Sequence, residues 1–257
     1  MAGLTKNKIK YIQSLKNKKD RDIYGTFVAE GDKIVLDLLP EMKCQALLAT
    51  TDFIEKNNLS AFHDIEELIE VSKSEIERVS FQKNPQQVIA VFYQRKPSYD
   101  KMQLPHQLSL ALDGIQDPGN MGTIIRLADW YGIENVFCSK DTVDIYNPKV
   151  VQATMGALSR VNVYYEDMVS FLQSVSKEMP VYGTFLDGED MYKTELTQNG
   201  IIVMGNEGKG ISPDVEKAVS HKLLIPNYPV GRSTSESLNV SVATAIICSE
   251  FRRLLLI

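Results

Sequence analysis

The chain has 257 residues, 44% hydrophobic and 24% charged, a balance that fits a globular protein of one large or two small domains. No apolar run approaches the roughly 20 residues that cross a bilayer, and the opening MAGLTKNKIK lacks a secretory signal's apolar segment, so a cytoplasmic location without a membrane partner is expected. Three scattered cysteines (Cys44, Cys138, Cys248) and three scattered histidines (His63, His106, His221) offer neither a zinc spacing nor a disulfide framework, and no metal is expected.

The net charge of −5 hides an asymmetry. Residues 1–22 carry Lys6, Lys8, Lys10, Lys16, Lys18, Lys19 and Arg21 against Asp20 and Asp22, so this segment is net +5 and the rest of the chain net −10. It reads either as a solvated, lysine-rich helix or as a basic contact for phosphates. Ile9, Ile12 and Leu15 fall on one stripe and predict a helix over 5–18. Strands are expected at TFVAEG (26–31), CQALLAT (44–50), ELIEVS (67–72) and QQVIAVFYQ (86–94), with helices at 32–39, stopped by Pro40, and at 72–79. This alternation predicts an α/β domain over 1–97. QRKPSYDKMQLPHQ (94–107) is polar and proline-containing, and residues 98–107 read as a linker.

The alternation resumes over 108–257. Expected strands are 108–115, 135–139, 161–166, 181–187, 200–205 and 222–226, with helices at 120–131, 147–158, 166–178, 213–220 and 236–253. Such a pattern implies a mostly parallel sheet with helices on both faces. In such sheets ligands bind beyond the carboxyl ends of the strands, and three of these ends are unusual. In DGIQDPGNMGTIIR (113–126) the glycines are spaced GxxG, without a dinucleotide fingerprint or a phosphate-loop lysine. Asn120 reads either as the cap of the following helix or as a functional amide. Arg126 sits on an otherwise apolar helix, where it needs a carboxylate such as Asp129 or Glu134, a phosphate, or water. IIVMGNEGKGIS (201–212) ends a clean strand in three glycines within six residues, with Glu207 among them, which lets backbone approach a ligand. In LLIPNYPVGRSTSESLNVSVATA a strand stops at Pro226, and a helix is expected from about Glu236 with Ser235 as its cap. Ser237 and Asn239 then lie in its first turn, where free amides favour polar or anionic groups.

DPGNMGTIIRLADWYG, MGNEGKGIS and IP…SLNVSVATA resemble the three ordered motifs of the SpoU (TrmH) branch of the SPOUT RNA methyltransferases, over roughly 108–257. The stretch around TFVAEGDKIVLDLL is similar to the small, ribosomal-protein-like RNA-binding domain that often precedes the catalytic one. The resemblance implies 2'-O-methylation of ribose in structured RNA with S-adenosylmethionine as cofactor, ribosomal RNA being favoured over transfer RNA. It further implies a deep trefoil knot and a homodimer with the active site at the subunit interface. Carried over by position, Arg126, Asn120, Glu207, Ser237 and Asn239 form the catalytic set. Thr184, Gly205, Asn206, Gly208, Ile225, Pro226 and Leu238 surround the cofactor, and the loop arginine Arg232 joins the lysines of 1–22 as an RNA contact. A free guanidinium holds its proton far above neutral pH, so Arg126 is read first as a holder of phosphate and ribose and second as a base. The loop NYPVGRSTSE is longer than in many relatives. The competing reading is a non-catalytic RNA-binding or assembly protein on the same scaffold, which would have no need of all five polar residues.

Overall fold

The computed structural model describes residues 4–175, 177, 179–229, 232 and 237–253. In chain order its first elements are α1 (Lys6–Ser14), α2 (Lys18–Tyr24), β1 (Thr26–Glu30), α3 (Asp32–Leu38), β2 (Cys44–Ala49), α4 (Thr51–Lys56), β3 (Leu68–Glu70), α5 (Lys73–Val79) and β4 (Val88–Tyr93). There follow β5 (Leu108–Asp113), α6 (Pro118–Trp130), β6 (Asn135–Ser139), α7 (Pro148–Thr154), β7 (Asn162–Glu166), α8 (Met168–Val175), β8 (Val181–Asp190), β9 (Gly200–Gly205), α9 (Pro213–Glu216), β10 (His221–Leu224) and α10 (Val240–Arg253). Contacts group the chain into two units, Met1–Lys96 with Asp144–Arg160, and Pro97–Val143 with Val161–Ile257.

The first unit has a four-stranded sheet in the order β1-β4-β2-β3, with β4 antiparallel to both neighbours and β2 parallel to β3. Ile9, Ile12 and Leu15 pack with Val28, Leu48, Ile76 and Val91 on one side of it. The helix expected over 5–18 ends at Ser14, and a second helix, α2, begins at Lys18. Arg21, 2% exposed, donates from Nη1 to the carbonyls of Leu15 at 2.9 Å and Lys16 at 2.8 Å. Those are acceptors that the amides of a continuous helix would use. Its Nε and Nη2 bind Asp144 Oδ2 at 3.1 and 2.5 Å. The basic segment is therefore no detachable arm, because Ile9, Ile12, Leu15 and Arg21 are part of the interior. α4 carries too short an apolar stripe, essentially Phe53, to show as a periodicity, and is held by the Thr50 cap.

The sequence places 144–160 in the second domain, whereas these residues cluster with the first unit. Tyr146 lies 4.7 Å from the Phe27 ring, and Gln82 donates to Gln152 Oε1 at 2.8 Å. Burial of a later segment against earlier strands has no local signature.

The second unit has six strands, all parallel, in the order β10-β8-β9-β5-β6-β7. Its core includes Phe137, Tyr164, Phe171, Leu172, Val181 and Ile201. The stretch read as a linker contributes to this core: Tyr99 meets Phe137 edge-on at 5.1 Å and Leu104 is 2% exposed. β8 runs in register with β10 through Tyr182–His221 and Gly183–Lys222, then resumes at Glu189–Leu223. Thr184 to Gly188 are thereby pushed out of register, an excursion that the sequence reads as plain strand. Gly188 permits the return, because a Cβ there would lie 2.6 Å from the carbonyl carbon of Leu223.

Candidate active site

The site begins with register. Asp113, the last residue of β5, pairs with Gly205, the last of β9, so the first two motifs leave the sheet side by side. A Cβ on Gly205 would lie 2.3 Å from the backbone of Gly210 and Ile211, which excludes any side chain. The loop after it is closed by reciprocal backbone bonds between Asn206 and Gly210, both 2.9 Å. The Asn206 side chain holds it: Nδ2 donates to Gly114 O at 2.7 Å, and Oδ1 accepts from the amides of Gly208 and Lys209, both at 3.0 Å. Gly208 is different. A Cβ there would meet only Asn206 Oδ1 at 3.8 Å, so the fold itself does not demand this glycine.

Above these loops lies a cavity of about 380 Å³, within the size of a small-molecule site, roughly 300–1,000 Å³. Thr184, Gly205, Asn206, Glu207, Gly208, Ile225, Ser237 and Leu238 line it, and Pro226 does not. The sequence did not point to Phe185 and Leu186, which reach it through the β8 excursion, nor to Leu223, Val240 and Ala243. Gly183 and Gly188, bracketing TFLD, were the available signal. Apolar side chains on one side and exposed loop backbone on the other suit a flat heterocycle attached to a polar arm.

The polar residues of the three motifs meet at the cavity's edge. Asp117 caps α6, its Oδ1 accepting from the Asn120 amide at 2.8 Å, with Pro118 at the first helical position. Asn120 is thus not the cap, and its side chain is free for other contacts. Its Nδ2 donates to Glu207 Oε1 at 3.0 Å, and its Oδ1 accepts from Asn239 Nδ2 at 3.0 Å. Asn239 stands just before α10, not inside its first turn; its Oδ1 accepts from Ser241 N at 3.0 Å, Ser241 Oγ at 2.6 Å and Val242 N at 3.4 Å. The expected helix start at Glu236 and the Ser235 cap lie outside the described residues. The α10 amides orient Asn239, Asn239 orients Asn120, and Asn120 meets an acceptor, the carboxylate of Glu207. Ser237 lies on the cavity wall and is exposed.

Arg126 projects into solvent from α6, and its guanidinium has no hydrogen-bond or ion-pair partner among the described residues. The salt bridges to Asp129 or Glu134 considered from sequence are not made. Arg126 follows Asn120 by six positions, under two helical turns. Lys6, Lys10, Lys16, Lys18 and Lys19 are exposed, while Lys8 is half-buried and paired with Glu67. Arg232 is exposed. The three cysteines are free and buried, and burial pushes the Cys44 and Cys248 thiols up to about 12. Among the described residues no cluster of His, Cys, Asp or Glu could hold a metal, and no helix is long and apolar enough to cross a membrane.

The profile of the SpoU rRNA Methylase family matches residues 107–249, and that of an MRM3-like substrate binding domain matches residues 6–90. A 23S rRNA (guanosine(2553)-2'-O)-methyltransferase, RlmP of Bacillus subtilis (strain 168), is 29% identical over 250 residues, covering 95% of this chain and 96% of its own. A solved structure of the TrmH family from Porphyromonas gingivalis is 40% identical with a TM-score of 0.87, covering 98% of this chain and 100% of its own. The AdoMet-bound rRNA methyltransferase of Sinorhizobium meliloti is 28% identical with a TM-score of 0.84, covering 99% of this chain and 97% of its own. By motif order, fold and profile, the chain belongs to the SpoU rRNA Methylase family.

Proposed function

We propose that this protein transfers the methyl group of S-adenosylmethionine to a ribose 2'-hydroxyl of ribosomal RNA. The observation that carries this reading is the hydrogen-bonded chain Asn239–Asn120–Glu207, which draws all three motifs to the rim of one cavity. A non-catalytic binding module would have no use for that arrangement. The names of the relatives, an rRNA methyltransferase and an AdoMet-bound one, support the substrate class and the cofactor.

The residues present fit the cofactor. The wall formed by Leu223, Leu238, Val240 and Ala243 can take an adenine, and the Gly205–Gly210 loop lines the cavity with backbone, Gly208 leaving space there that a side chain would take. When bound, the cofactor supplies an already activated methyl on a sulfonium, so the chain need only orient the acceptor hydroxyl, ease removal of its proton and exclude water. Arg126, exposed and unspent, holds the target phosphate and ribose through its planar fork. Base character at Arg126 is secondary, because a guanidinium binds its proton so tightly. Asn120 and Asn239 keep Glu207 in one orientation beside the cavity, and Ser237 offers a hydroxyl on the same wall.

Two further parts belong to this reading. α6 and α10 pack together and leave Trp130 84% and Val242 48% exposed, a face suited to a second copy of the chain that would place Arg126 at a subunit interface. The exposed lysines of α1 and α2, with Arg232, neutralise RNA phosphates, and the protein acts in the cytoplasm. The test is a map of 2'-O-methyl positions in cellular rRNA with and without the gene: one position should lose its methyl and regain it when the wild-type protein is restored. An unchanged map, together with no methyl transfer to purified rRNA, refutes the activity.

A further inference from the structure

The helical hairpin α1–α2 carries an aromatic feature that the phosphate-binding lysines do not account for. Tyr24, the last residue of α2, is 51% exposed, and its neighbour Ile23 is 64% exposed. The Tyr24 ring is met edge-on by Tyr11, with centroids 5.0 Å apart and planes at 87°. That contact engages at most one face of Tyr24. Tyr11 is itself fixed, its hydroxyl bonded to Thr26 Oγ1 at 2.9 Å and Gln45 Oε1 at 2.6 Å. Behind Tyr24 the chain turns sharply at Gly25 (φ +62°), and the Gly25 amide bonds back to Arg21 O at 2.8 Å. Arg21 in turn is locked by Leu15, Lys16 and Asp144. An exposed ring is thus held on a rigid mount.

Its setting is basic. Lys10 on α1, Lys16 between the helices and Lys18 and Lys19 on α2 are all exposed, and with Asp20 and Asp22 counted residues 1–22 are still net +5. An open aromatic face at the end of a helix that begins with two exposed lysines suits a strand that offers stackable bases and phosphates together. An acidic protein surface would satisfy the lysines but has no need of a rigid ring.

We propose that Tyr24 is a stacking platform for an unpaired base of the RNA substrate, with Lys18 and Lys19 holding the adjoining phosphates. This rests on the reading of the protein as an RNA methyltransferase and adds a base contact to the phosphate contacts of the same helices.

The experiment uses the full chain and 23S rRNA transcribed with 5-iodouridine. After long-wavelength irradiation, the tryptic peptide spanning residues 22–33 should carry a nucleotide adduct, and fragmentation should localise it to Tyr24. In binding titrations, Tyr24→Leu should weaken affinity roughly 10-fold or more, with the salt dependence of binding unchanged, because stacking releases no counterions. Tyr24→Phe should bind as wild type. Lys18→Gln with Lys19→Gln should instead flatten the salt slope, by roughly one unit per lysine. Wild-type melting temperatures and cofactor affinity in each variant exclude a folding defect. The platform is overturned if Tyr24→Leu binds as wild type, if its loss appears as a change in salt slope, or if the adduct maps elsewhere. A wild-type chain that binds no rRNA overturns the proposed function as well.

Discussion

Asn120 and Glu207 are 87 positions apart in the chain, yet the side-chain amide of the first donates to Oε1 of the second at 3.0 Å. The contact exists because β5 and β9 are adjacent and in register, so the loops after Asp113 and Gly205 leave the sheet together. It is oriented because Asn239 bonds the other end of the same amide, and Asn239 is in turn held by the start of α10. A flipped Asn120 would face Asn239 with a donor against a donor and Glu207 with an acceptor against an acceptor.

Asn120→Ala should therefore slow single-turnover methyl transfer by about 10- to 100-fold, since one hydrogen bond to a charged group is worth about 1.5–3 kcal/mol. The cofactor dissociation constant should stay within about threefold. Helix α6 should keep its stability, because Asp117 supplies the cap. Asn120→Asp should lose more, because it sets a carboxylate against Glu207. Wild-type single-turnover rates in Asn120→Ala would remove the chain of amides from the mechanism.

Arg126→Lys retains charge but not the fork. Part of the RNA affinity should survive while turnover falls by at least about 100-fold. Full turnover in a methyl-transfer assay would show that a point charge suffices and that the planar geometry is irrelevant.

The two glycines of the β9 loop should separate folding from binding. Gly205→Ala places a Cβ 2.3 Å from backbone, so the loop must move, at a cost of about 1–3 kcal/mol or more in chemical denaturation. Gly208→Ala has room in the fold. It should melt as wild type yet bind S-adenosylmethionine several-fold more weakly by calorimetry, because its methyl enters the cavity. Equal binding by Gly208→Ala and wild type would place the cofactor away from this loop.

Trp130→Glu puts a charge on the exposed face of α6 and α10. Sedimentation velocity should show a dimer in the wild type and a monomer in the variant, with turnover lost and the cavity's cofactor affinity largely kept. A variant that stays dimeric would move the interface to another face.

Arg21→Met leaves the carbonyls of Leu15 and Lys16 and the Asp144 carboxylate without their buried partner. Breaking such a pair costs about 3–5 kcal/mol, which should appear as a lower denaturant midpoint. An unchanged midpoint would mean that water replaces the guanidinium at no cost.

Much of the fold was legible before any coordinates. The runs LSLALD, NVFCS and GIIVMG are short and mostly apolar, without the regular polar alternation of a half-exposed strand, which pointed to strands buried on both faces of a parallel sheet. The strand-end motifs were legible because glycine, asparagine and glutamate are costly inside strands and cluster where backbone must turn. Interactions between distant segments were not. Arg21 takes the carbonyls of Leu15 and Lys16 just past the end of α1, and nothing near residue 21 reveals that Asp144 completes the contact. The β8 excursion depends on where β10 lies, and Asp117 rather than Asn120 caps α6. The sequence by itself determined which residues are polar, glycine or apolar at each strand end. Only the tertiary structure decided which of them share a hydrogen bond, because strand order and register bring together groups that no local periodicity relates.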